Sequence, residues 1–104
     1  MSEKKPKQNQ LNIELGEDVA EGVYSNLAII SHSSSEFIVD FVRIVPNMPK
    51  AKVKSRIILT PQHAKRLLNA LTDNIRRFEA SHGTIDEPDQ PPFPPMNFTP
   101  TAQA

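Results

Sequence analysis

The chain predicts an α+β fold: a four-stranded antiparallel β-meander followed by one long C-terminal α-helix packed on one sheet face. Three observations carry this. Four runs rich in β-formers lie between residues 11 and 59, each bounded by turn residues. The later connections have turn composition, as consecutive antiparallel strands require. One amphipathic pattern of helical period begins at Thr60 and runs beyond Phe78.

Residues 1–9 are polar, with Lys4, Lys5 and Lys7 around Pro6, and are expected to be disordered. Leu11, Ile13 and Leu15 then alternate with polar residues, the pattern of a half-buried strand, which Gly16 ends. An acidic connection over 16–22 leads to two β-rich runs, 23–31 (VYSNLAIIS) and 36–45 (EFIVDFVRIV). His32-Ser33-Ser34-Ser35 between them has hairpin composition. Pro46-Asn47-Met48-Pro49 is the next turn, since proline fixes φ and removes a ladder donor. The run 51–59 (AKVKSRIIL) alternates again and is the fourth expected strand.

The helix has the clearest signature. Thr60 is a good N-cap, and Pro61 occupies the first helical position, where the missing N–H costs nothing. Ala64, Leu67, Leu68, Leu71, Ile75 and Phe78 form one apolar stripe, and Gly83 is the expected C-terminal cap. Beyond it, residues 84–104 hold six prolines (88, 91, 92, 94, 95 and 100) and read as an extended, polyproline-like tail. The domain organisation is therefore 1–9 disordered, 10–83 folded, 84–104 tail. About 73 folded residues bury only some 60–65% of their unfolded surface, which is marginal for a lone domain.

Composition removes several classes of function. With no cysteine, disulfides, thiolate metal sites and thiol nucleophiles are excluded. No apolar run approaches the roughly 20 residues that span a bilayer, and residues 1–5 lack the apolar stretch of a secretory signal, so a cytoplasmic protein without membrane contact is expected. Twelve basic and twelve acidic residues cancel, but they segregate. Residues 8–40 carry six acids and no Lys or Arg, whereas 43–77 carry nine basic residues against Asp73 alone. Such segregation suits complementary contacts between neighbouring strands or between subunits.

A turn over residues 46–50 makes paired residue numbers sum to 96. Phe37, Val39 and Phe41 then share a face with Leu59, Ile57 and Ser55, the natural seat for the helix stripe. On the reverse face Ile38 meets Ile58, Asp40 meets Arg56, Val42 meets Lys54 and Ile44 meets Lys52. Asp40 is expected to pair with Arg56 across the strands. Ile38, Val42, Ile44 and Ile58 would form an apolar patch with part of 27–30. Such patches mark partner surfaces, and a second copy is the simplest partner, giving a homodimer or higher oligomer. The rival is that Phe93, Met96 and Phe98 of the tail fold back over the patch.

Tyr24-Ser25-Asn26, Ser31-His32-Ser33 with Glu36-Phe37-Ile38-Val39-Asp40-Phe41, and Thr60-Pro61-Gln62-His63-Ala64-Lys65 with Leu67, Leu68 and Leu71 carry a resemblance. Over residues 10–83 the chain resembles the prokaryotic family catalogued as domain of unknown function 3467. The resemblance implies a fold and a cytoplasmic setting and transfers no catalytic residue. The architecture is also similar to that of the export chaperone SecB, an analogy without a shared motif.

Sites for chemistry are few. His32, Glu36 and Asp40 are metal-ligating or acid–base residue types, but their spacing straddles a hairpin turn, where serine caps are the plainer reading. His63 with one of Ser33–Ser35 lacks an orienting group and an oxyanion hole. No catalytic, cofactor or metal residue is assigned, and no enzyme activity is expected. Lys50, Lys52, Lys54 and Arg56 along the fourth strand are candidate phosphate contacts, although no aromatic residue interleaves to stack bases. Lysines on an edge strand also deter aggregation. The tail satisfies PxxP spacing, with Phe93, Met96 and Phe98 as candidate anchors; a plain linker has the same composition. The expected function is non-enzymatic protein binding by an oligomer, through the reverse face, its edges or the tail, as an adaptor or a holdase for unfolded clients. The alternative is nucleic-acid binding along residues 50–56.

Overall fold

The computed structural model describes residues 10–87. Its elements are the one-turn helix α1 (Glu17–Ala20), strands β1 (Leu27–His32), β2 (Phe37–Arg43) and β3 (Lys52–Leu59), and helix α2 (Pro61–His82). The fold is α+β, an antiparallel sheet of order β1-β2-β3 and a long C-terminal helix. The chain divides into two units between Ala64 and Lys65, and the sheet and α2 are described in turn. Among the described residues no helix is long and apolar enough to cross a membrane. The expectations for residues 1–9 and for Phe93, Met96 and Phe98 lie outside the described residues.

The sheet has three strands where four are expected. Residues 11–15 belong to no strand, and Leu11, Ile13 and Leu15 are exposed. Alternation makes a strand only where a ladder receives it. Here Gly16 opens a helical turn instead, its carbonyl accepting the Val19 and Ala20 N–H groups at 3.1 and 2.9 Å.

β1 and β2 pair with Leu27 opposite Val42 and His32 opposite Phe37. Their connection is a two-residue turn of Ser34 and Ser35, a length that usually demands positive φ at its centre. Neither serine has it. Ser33 Oγ stands in, accepting the Ser35 and Glu36 N–H groups at 3.2 and 3.3 Å, while the Ser33 N–H reaches the Glu36 carbonyl at 2.9 Å.

β2 and β3 follow the expected register from Phe37–Leu59 through Phe41–Ser55. The register then shifts, so Val42 faces Val53 and Arg43 faces Lys52. The expected pairs Val42–Lys54 and Ile44–Lys52 are corrected accordingly. Lys54 is the extra residue of a β-bulge, in which two residues of one strand oppose one of the other. At the far end, the Met48 N–H reaches the Val45 carbonyl at 3.2 Å, with Pro46 and Asn47 between them. Asn47 has φ 67°, the geometry of a type II turn with proline at its second position.

Burial concentrates in the central strand. Val39, Val42 and Asp40 are the buried residues among those described, at 8, 4 and 1% exposure, and all three lie in β2.

α2 starts as its sequence predicts. Thr60 Oγ1 accepts the His63 N–H at 3.2 Å, and the Thr60 carbonyl accepts the Ala64 N–H at 2.9 Å. Its apolar stripe is half-exposed, and no residue of the helix is buried. Asp73 and Arg77 pair one turn apart at 3.2 Å. Gly83, at φ 93°, closes the helix by donating its N–H to the Glu79 carbonyl at 2.9 Å. That backbone conformation is the one glycine adopts without steric cost.

Candidate functional site

The chemistry-bearing side chains gather along β2 and its two neighbours. At the centre, Arg56 donates two hydrogen bonds to Asp40, Nε to Oδ1 at 2.6 Å and Nη2 to Oδ2 at 2.9 Å. This fork-on-carboxylate geometry satisfies both oxygens at once. The hydrogen bond from Arg56 holds the Asp40 carboxyl below its ordinary value, outweighing burial, which pushes it up; the Arg56 charge adds to the lowering. The same bond pushes Arg56 further up. Asp40 is thus a fixed anion with both oxygens engaged, poorly suited to accept a substrate proton.

The sheet separates the residues of the imagined acid–base cluster. His32 stands opposite Phe37 and stacks on it, ring centroids 5.3 Å apart at 29°. Phe37 and Asp40 differ by an odd number of positions in β2, so they lie on opposite faces. Glu36 is exposed in the turn. Among the described residues no three His, Asp or Glu side chains converge on a point that could hold a metal.

The candidate interface residues have unequal positions. Ile58 is 56% exposed, Ile38 and Ile44 are half-buried, and Val42 is buried within the chain. The bulge brings Val53, 42% exposed, opposite Val42 and onto this face.

The basic residues do not form one row. Lys52 faces Arg43 on the side of Val39 and Phe41, Arg56 lies on the other side bound to Asp40, and Lys54 sits at the bulge. Strict alternation, which would align them, fails at Lys54. What remains is a like-charge pair, Arg43 with Lys52, directly opposed. Arg43 also lies over the Tyr24 ring, 5.9 Å from its centroid, a cation–π contact.

Two polar residues matter more than their pattern suggests. Asn26 Nδ2 donates to the Ile44 carbonyl at 3.0 Å, and its Oδ1 accepts the Ile44 N–H at 2.8 Å. One side chain thereby imitates a strand partner just beyond the end of β1. Ser25 Oγ lies 3.0 Å from both the Leu27 and Val42 carbonyls and shares its proton between them. The only signal in the sequence was Ser-Asn ahead of an apolar run, residue types that bond to nearby backbone.

Ser25 and Asn26 close the ladder, Ser33 shapes the hairpin, His32 stacks on Phe37, and Thr60 caps α2. These are the blocks that carry the family resemblance, and each holds a turn, an end or a strand pair. No curated protein and no solved structure matches the chain. The sequence model of the family described as "Protein of unknown function (DUF3467)" matches residues 1–87, and the chain, whose distinctive residues are these architectural ones, belongs to that family.

Proposed function

We propose that the protein is a non-enzymatic, cytoplasmic binding module that works as an oligomer and holds apolar segments of other polypeptides. One observation supports the reading above the others: among the described residues only two apolar side chains, both valines, are buried, while many large ones stand open. On the sheet, Ile30, Ile57 and Ile58 are 62, 42 and 56% exposed. A three-stranded sheet needs an apolar face covered to be stable, and uncovered apolar surface marks association. Adaptor and holdase versions share this physics. A holdase slows the aggregation of a chemically unfolded client at roughly stoichiometric ratio, and its effect persists when salt rises from about 50 to 200 mM. Ile58→Asp weakens that protection with the fold intact by circular dichroism. A monomeric chain without effect on the client would overturn the proposal.

A second reading, nucleic-acid binding, is favoured by the Arg43–Lys52 pair. Two cations placed directly opposite repel each other, and an anion between them would relieve that cost. Lys50 and Lys54 are the next candidates for phosphate contact. Binding of this kind falls steeply over the same salt range.

A further inference from the structure

We propose that the open outer edge of β1 receives residues 11–15 of a second copy, so that each protomer of a two-fold dimer lends this segment to the other's sheet. The two edges of the sheet are built differently. β3 carries Lys52, Lys54 and Arg56 and is bulged at Lys54, devices that discourage further strand pairing. β1, Leu27–His32, contains no Lys, Arg, Asp, Glu or Pro, so nothing blunts its free edge. Residues 11–15 have the complementary character. They alternate apolar and polar, and Leu11, Ile13 and Leu15 are 78, 84 and 73% exposed, in no strand. Five residues match a six-residue edge in length, and Glu14 meets no charge on β1.

Within one chain the segment pairs with no described residue, although only residues 16–26 separate it from β1. That connection is taken up by the α1 turn and by Gly22 at φ 82°. Exchange between two copies is self-consistent: it is isologous, so each copy both lends its segment and receives the other's, and both open β1 edges are covered in one closed pair. Each chain's own sheet stays three-stranded; the added strand is the partner's.

The inference deepens the oligomer reading, and cross-linking tells the two apart. The chain has no cysteine, so introduced thiols report alone. Ile13→Cys and Ile30→Cys variants, mixed under conditions of subunit exchange and treated with a short thiol-reactive cross-linker, are expected to give a covalent heterodimer. Ile13→Pro fixes φ and removes an N–H in a segment that makes no backbone bond to a described residue. It is expected to weaken dimerisation about tenfold or more by sedimentation, with the monomer's circular dichroism unchanged. An oligomer in which Ile30→Cys links efficiently only to itself would refute strand exchange while leaving oligomerisation intact. A double Ile13→Cys/Ile30→Cys chain that links only within itself would refute it as well.

Discussion

The two halves of the β2–β3 ladder solve the same problem in different ways. From Phe37 to Phe41, β2 is paired in regular register on both sides and pinned by the Asp40–Arg56 fork. Beyond Phe41 the bulge disturbs the β3 side, and on the β1 side, where β1 itself ends, side chains take over the pairing. Ser25 and the Asn26 N–H both reach the Val42 carbonyl, at 3.0 and 3.1 Å, and the Asn26 side chain takes both backbone groups of Ile44. A regular ladder needs no side-chain help. Where a ladder ends, short polar side chains can extend it by bonding to the backbone groups left without a strand partner.

The largest expected effect breaks the regular half. Arg56→Met leaves the Asp40 carboxylate buried without a partner, and its midpoint in urea is expected to fall further than that of any other single substitution in the sheet. Asp40→Asn removes the charge and keeps the shape, at a cost of about 2 kcal/mol at neutral pH. Asp40 has a folded-state value lowered from 3.8, so its stabilisation is fully present above that ordinary value and is lost as pH falls through the lowered one. The stability gap between the native chain and Asp40→Asn should therefore be flat from about pH 8 to 5 and narrow below about pH 4. A gap that persists at pH 2 would show that Asp40 acts through packing instead.

In the irregular half two smaller losses are expected. Val42→Ala removes buried methyl groups opposite Val53, at about 2 kcal/mol by chemical denaturation. Asn26→Ala deletes two exposed backbone-mimicking bonds, at about 1 kcal/mol. Amide exchange sharpens the contrast: Asn26→Ala should speed exchange at Ile44 and leave Val39 protected. Equal acceleration at both residues would mean that the two halves open as one unit.

This contrast also sets what could be read from the sequence. The hairpin, the proline turn, the helix from Thr60 to Gly83 and the register through Phe41–Ser55 were legible because each depends on local turn chemistry or strict alternation. The Asp40–Arg56 pair followed from that register. Beyond Phe41 legibility ends, because a run such as KVKSRIIL, polar through Lys54-Ser55-Arg56 and apolar through Ile57-Ile58-Leu59, does not say which residue a bulge would take out of the pairing. The basic row of residues 50–56 failed for that reason. Residues 11–15 failed differently: alternation reports a capacity to pair and is silent about whose edge supplies the partner. The clamp by Asn26 was hidden because asparagine ahead of a strand reads as turn composition, whatever it bonds to.

The smallest expected effect is also the most discriminating test of the bulge. Deleting Lys54 removes the extra residue and leaves every observed pair in place, with Val53 still opposite Val42 and Lys52 opposite Arg43. Stability within about 1 kcal/mol of the native chain is expected, because only a solvent-facing residue and its local bend are lost. Deleting Val53 shortens β3 by the same single residue but brings Lys54 opposite the buried Val42. An ammonium would then face an apolar position, and the loss should be several times larger. If the two deletions cost the same, length rather than register controls this end of the sheet, and the distinction between the two halves of the ladder fails.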